Sequence, residues 1–120
     1  YHRIDTISSS RHVEILVDGV KVADTHRPFL LFETSLPTRY YIPEEDVDKS
    51  YLAKNNLHTV CPYKGSASYY DLVVNDETYD YAVWTYPDPV AEAPKLRDTL
   101  AFWPEKDKRI QILVDGEPAS

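Results

Sequence analysis

This sequence predicts a mainly β fold with one short helix near the C-terminus, and three observations carry the prediction. Two stretches alternate apolar and polar residues around a turn pair, an apolar run is fenced by prolines, and a single segment has helical spacing. At 120 residues the chain is the size of one domain with one core.

Residues 1–10 read as a lead-in or linker and residues 11–118 as that single domain. In "VEILVDGVKVAD", Val13, Ile15 and Val17 alternate with Glu14, break at Asp18-Gly19 and resume with Val20 and Val22 against Lys21. Glycine takes the positive φ such a turn needs, so a hairpin is predicted. The run "RPFLLFETSLP" reads as a short strand buried on both faces and bounded by Pro28 and Pro37, and "PEEDVDKSYLAKNN" as holding a helical turn near Glu44 to Val47. A second hairpin is expected where Tyr70, Leu72 and Val74 lead into Asn75-Asp76 and Tyr79, Tyr81 and Val83 lead out, with Asp80, Ala82, Trp84 and Tyr86 on the other face. The helix is placed in "APKLRDTLAFW", with Pro94 in its first turn, Leu96, Leu100 and Trp103 on one face, and Pro104 ending it. Ile-Leu-Val-Asp-Gly occurs at 15–19 and again at 112–116. Matching strands at opposite ends suggest that the termini lie side by side in one sheet; the match is too short for a duplicated domain, and convergent hairpin chemistry accounts for it.

The formal charge of −7 argues against a phosphate-tracking surface, so nucleic acid is discounted as a partner. No apolar stretch approaches the roughly 20 residues that cross a bilayer, and "YHRIDTISSS" lacks the apolar middle of a signal peptide, so a membrane is discounted too. The chain opens on Tyr rather than Met, which reads as a piece of a longer protein, and one cysteine forbids an internal disulfide, favouring a reducing, cytoplasmic compartment.

The densest chemistry lies in "HTVCPYKGSASYY", residues 58–70. Pro62 pushes Cys61 toward an extended conformation and Gly65 permits a sharp bend, so the motif reads as a fixed corner aiming Cys61, Tyr63 and Lys64. Cys61 is either a thiolate favoured by Lys64 or, more simply, a small buried hydrophobe, since no histidine stands at a catalytic spacing. His58 and Cys61 have the spacing of two zinc ligands, but a structural site needs four; His2, His12 and His26 are scattered near the amino end, and no metal is expected. Magnesium-dependent transfer using Asp76 and Asp80, or Asp46 and Asp48, meets the objection that Asp76 falls at a hairpin tip. Glu33 closes the apolar run between Arg27 and Arg39, and a carboxylate entering a core is costly unless paired, so a partnership of Glu33 with an arginine is expected, as an internal brace or as part of a pocket wall. Nine of the ten tyrosines fall between residues 40 and 86 with Trp84, and those near the corner are candidates for a ligand cleft.

Taken together, "VEILVDGVKVADTHRPFLLFETSLPTRYYIPEEDV", "HTVCPYKGSASYY", "AVWTYPDP" and "LAFWPEKDKRIQILVDG" resemble the domain-of-unknown-function family 427 over about residues 10 to 117. The resemblance implies a β-tent type fold, two antiparallel sheets of short strands leaning together with a short helix near the end. Similar folds hold zinc through cysteine pairs, which this chain lacks, so neither zinc nor sulfoxide reductase activity carries over. The family is at times labelled nucleotidyltransferase-like, which the acids above do not sustain. Some members carry two copies, and "YHRIDTISSSRHVEI" is similar to the opening of a second one, which implies an upstream copy or a homodimer as partner. Positions matching the family's polar and aromatic motifs are Arg27, Glu33, Arg39, Tyr40, Tyr41, Asp46, Thr59, Cys61, Tyr63, Lys64, Trp84 and Tyr86.

The expected function is small-molecule binding, without a cofactor, in a cleft of Trp84, Tyr86, Tyr63 and Tyr41 with Arg27, Glu33 and Lys64 as anchors and Arg39, Asp46 and Thr59 beside them. An enzyme using Cys61 or Glu33 as nucleophile or base, with Lys64 or Arg27 steadying negative charge, is the first alternative. The second is an interaction module that pairs through a sheet edge or forms a symmetric dimer.

Overall fold

The structure, a computed structural model, describes residues 3–90 and 94–119. Its strands are β1 (Ile4–Ser8), β2 (Val13–Val17), β3 (Val20–Thr25), β4 (Phe29–Glu33), β5 (Arg39–Pro43), β6 (Leu52–Cys61), β7 (Gly65–Val74), β8 (Glu77–Thr85), β9 (Thr99–Phe102), β10 (Ile110–Val114) and β11 (Glu117–Pro118). They form two antiparallel sheets, a seven-stranded one in the order β1-β4-β5-β9-β8-β7-β6 and a four-stranded one in the order β11-β10-β2-β3.

Turn chemistry sets the hairpins. Asp18 and Gly19 both take positive φ, as do Asn75 and Asp76, and Asp115 and Gly116; two-residue turns of this kind match the right-handed twist of the strands they join. The two Ile-Leu-Val-Asp-Gly copies meet as neighbours, because β2 pairs with β10 and Ile15 lies opposite Ile112. The strands that carry the two copies are therefore neighbours in the small sheet. Ile4–Ser8, within the stretch read as a lead-in, forms β1 and pairs with β4. The helical turn expected near Glu44 is a 3-10 turn, Glu44–Asp46, after which Val47 bridges to Ala23 and links the sheets.

The C-terminal helix does not form. Among the described residues of "APKLRDTLAFW", the 3-10 turn Pro94–Leu96 gives way to β9, all four of whose residues are buried. Leu96, Leu100 and Trp103 do have helical spacing, but Asp98 adopts φ +59° and closes the turn. The following run then fits between β5 and β8, where a strand buried on both faces needs no polar alternation. Pro104 opens a further 3-10 turn, Pro104–Lys106, instead of ending a helix.

Both faces of the large sheet carry a buried cluster. One face, with Ile42, Leu72, Val83, Leu100 and Phe102, packs on Val13, Ile15, Val17 and Ile112 of the small sheet. The other gathers Leu31, Tyr41, Ala67, Tyr86 and Ala101 over Leu96 in a second cluster. Phe102 is in the inter-sheet core and 1% exposed, so Phe102→Ala is expected to cost about 3–5 kcal/mol in urea unfolding, whereas Ile7→Ala, at a position 48% exposed, should leave the midpoint nearly unchanged.

Candidate functional site

Strand parity builds the second face. Phe29 pairs with Tyr41, Tyr41 with Ala101, Ala101 with Trp84 and Trp84 with Tyr69, so one row crosses five strands. Two residues along, Leu31 on β4 and Arg39 on β5 share that face, as does Glu33 two further along β4. Ala101 is the small member of the row. Over it, the Trp84 indole Nε1 donates to the Tyr41 hydroxyl at 3.0 Å, with the rings edge to face at 6.4 Å. A larger side chain at Ala101 would stand where these two meet.

Above this floor lies a cavity of about 450 Å³. Leu31, Glu33 and Arg39 form one wall, Tyr69, Trp84 and Tyr86 another, and Tyr81 and Trp103 close an end. Lys64 spans the far rim. Its ammonium lies 2.7 Å from Glu33 Oε1, with side chains only 12% and 7% exposed, and 5.8 Å from the Tyr86 ring centroid. The Cys61-to-Gly65 corner puts it there: Lys64 N–H donates to Cys61 O at 3.1 Å, and Lys64 O accepts from Val90 N–H at 2.9 Å. Gly65 has φ +121°, and a Cβ on it would come within 3.0 Å of Asp88 O. Only glycine fits both constraints.

Each aromatic wall carries a cation. The Arg39 guanidinium sits 5.5 Å from the Trp84 ring centroid while Nη1 donates to Glu105 at 2.7 Å. Burial works to raise the Glu105 carboxyl, but Arg39 outweighs it and holds the group below its ordinary value. Lys106 stands 4.2 Å over Tyr81, which stacks on Trp103 at 6.2 Å. Burial drives the phenols of Tyr41 and Tyr86 far above their usual values, so both stay neutral and act as hydrogen-bonding or stacking groups.

Of the residues singled out in the sequence, Glu33, Arg39, Lys64, Trp84 and Tyr86 line the cavity. Tyr41 lies wholly buried beneath it. The shared hollow expected for the whole Cys61 corner receives Lys64 alone. Cys61 packs half-buried against the second cluster and Tyr63 is 46% exposed, because neighbouring positions of a tight hairpin loop point apart. Thr59, exposed on β6, meets the Tyr69 hydroxyl at 2.9 Å. Arg27 and Asp46 form their own ion pair at 3.2 Å, with Thr25 donating to Asp46 at 2.7 Å, and Arg27 lines a different hollow. Tyr40 faces the inter-sheet core.

Tyr69, Tyr81, Trp103 and Leu57 were missed. Alternation puts Tyr81 with Tyr79 and Val83, yet it joins Trp84 and Tyr86 at the cavity. Register slips between Tyr70 and Leu72, Tyr81 takes φ +42°, and its N–H donates to Asp71 Oδ1 at 2.8 Å. That bulge re-aims the ring. A second irregularity, between Asn55 and His58, brings Leu57 to the rim.

A family model described as "Domain of unknown function (DUF427)" matches residues 5–116. No curated protein matches the chain.

Two outcomes follow for the rim. In a double-mutant cycle with Glu33→Gln and Lys64→Met, the buried pair should give a coupling of about 0.5–3 kcal/mol in chemical unfolding; a coupling near zero would remove its structural role. Gly65→Ala is expected to lose about 1–3 kcal/mol from backbone strain, read as a lowered thermal midpoint.

Proposed function

The chain belongs to the DUF427 family, which is defined without an activity, and from that premise we propose that it binds a small, partly planar molecule carrying a negatively charged group. The supporting observation is the convergence of Trp84, Tyr86, Arg39, Glu33 and Lys64 from separate strands around one cavity. A volume of about 450 Å³ is ample for a metabolite-sized guest, and walls of apolar and aromatic residues with a few fixed polar groups are the usual make-up of such sites.

The charge balance favours an anion. Two cations and one carboxylate line the cavity in a chain whose net charge is −7. Glu105 engages Arg39 through Nη1, and the rest of the guanidinium fork can take a carboxylate or phosphate oxygen at the mouth. Trp84, held by Tyr41, offers a fixed face for stacking.

A thermal-shift screen of small planar acids and their neutral analogues tests this. A ligand at about 100 times its Kd stabilises the fold by about 2.7 kcal/mol, a shift of several degrees for a domain of this size. Trp84→Ala should abolish the shift, and Arg39→Gln should weaken acids more than neutral analogues. Hits that both variants retain undiminished would count against the cavity as the binding site.

A further inference from the structure

On the outer face of the small sheet, pairing collects side chains that are scattered in sequence. Glu14 lies opposite Asp24 and Val13 opposite Thr25, so His12 and His26, one step beyond that pair on either side, come to the same face. Their rings stack at 4.2 Å, nearly parallel at 8°. His12 Nε2 is 2.7 Å from Asp24 Oδ1, and one ligating atom from each of His12, Asp24 and His26 lies within 4.8 Å of the other two. We propose that these three residues form a binding site for a divalent transition-metal ion of the zinc, nickel or copper class.

The surroundings support a built arrangement. Register slips between Ile15 and Leu16, leaving Val22 as an extra residue. The slip turns Lys21 to the face of Asp24, three residues on, which regular alternation forbids. Lys21 Nζ then binds Asp24 Oδ2 at 2.8 Å and Glu14 Oε2 at 3.0 Å. This fixes both carboxylates and leaves Asp24 Oδ1 directed at His12. Two carboxylates against one ammonium keep the patch net negative. Glu14 Oε1 lies 3.8 Å from His12 Nδ1, too long for a hydrogen bond, but a small turn of the ring would bring it to the position from which a carboxylate fixes the tautomer that presents Nε2 to a metal.

The donor set of two imidazoles and a carboxylate suits zinc, nickel and copper better than magnesium or calcium. Ligand distances of about 2.1 Å require donor atoms roughly 3–3.5 Å apart. The His12 and Asp24 atoms must open slightly, and His26, one residue past the end of β3 and exposed, must turn its ring inward. Three protein ligands leave the remaining positions to water or to an incoming group.

The test is titration of the chain with Zn²⁺ or Ni²⁺ alone, followed by calorimetry and by the proton resonances of the four histidine rings. The expected result is one equivalent bound, with Zn²⁺ shifting and Ni²⁺ broadening His12 and His26 only. His26→Ala and Asp24→Asn should abolish binding at an unchanged thermal midpoint. Glu14→Gln should weaken it by about 10- to 100-fold, and His58→Ala should leave it alone. No saturable binding, binding that survives His26→Ala, or perturbation confined to His2, His58 or Cys61 would overturn the proposal and leave this face an ion-paired, solvated surface.

Discussion

The contact between Glu33 and Lys64 reaches across the second face of the large sheet. In the large sheet, β5, β9 and β8 lie between β4, which carries Glu33, and β7, whose leading turn carries Lys64. Strands spaced at about 4.8 Å would place β4 and β7 some 19 Å apart in a flat sheet. The reach of the two long side chains, the turn that carries Lys64 and curvature of the sheet together close that gap to an ion pair at 2.7 Å. The pair borders the aromatic cavity on the second face, while the opposite face packs on the small sheet. Desolvating both charges is unfavourable and is offset only by their close approach and further contacts. The pair is thus both a brace and part of the cavity wall, with Lys64 in place of the arginine expected for Glu33.

Around that pair, the cavity depends on contrasts of size and charge. Ala101 sits wholly buried between Tyr41 and Trp84, and its small side chain lets a phenol and an indole from strands two places apart hydrogen-bond over it. Trp84 is fixed by that bond from below and faced by Arg39 at the cavity side. A stacking surface immobilised in advance loses little freedom when a guest arrives. The neutral, buried phenols supply shape without adding charge, so the charged groups lining the cavity among the described residues are Arg39, Lys64 and Glu33.

The fold was legible where local chemistry decides it. Asp-Gly and Asn-Asp pairs gave the turns, and the repeated Ile-Leu-Val-Asp-Gly anticipated adjacent terminal strands. The predicted helix failed because Thr99–Phe102 is buried on both sides; its apolar residues satisfy helical spacing and a central strand equally, and pairing with β5 and β8 settles the choice. Among the site residues, Glu33, Arg39, Trp84 and Tyr86 were reachable from strand parity, and Lys64 from the glycine bend. Cys61 and Tyr63 were misplaced because a sharp corner was read as aiming all its side chains one way. Tyr81 and Lys21 were not reachable at all, since each owes its direction to a β-bulge that no pattern of residue types announces. The bulge at Val22 is also what assembles the patch around Asp24.

The brace formed by Glu33 and Lys64 is tested most directly by backbone hydrogen exchange, comparing the protein with its Lys64→Met variant residue by residue. If the pair clasps the sheet, protection should fall selectively in β6, β7 and the Leu31–Glu33 end of β4, while β2 and β10 exchange as before. Equal loss across both sheets, or no loss near the rim, would contradict the clasp and with it the bracing of the cavity wall.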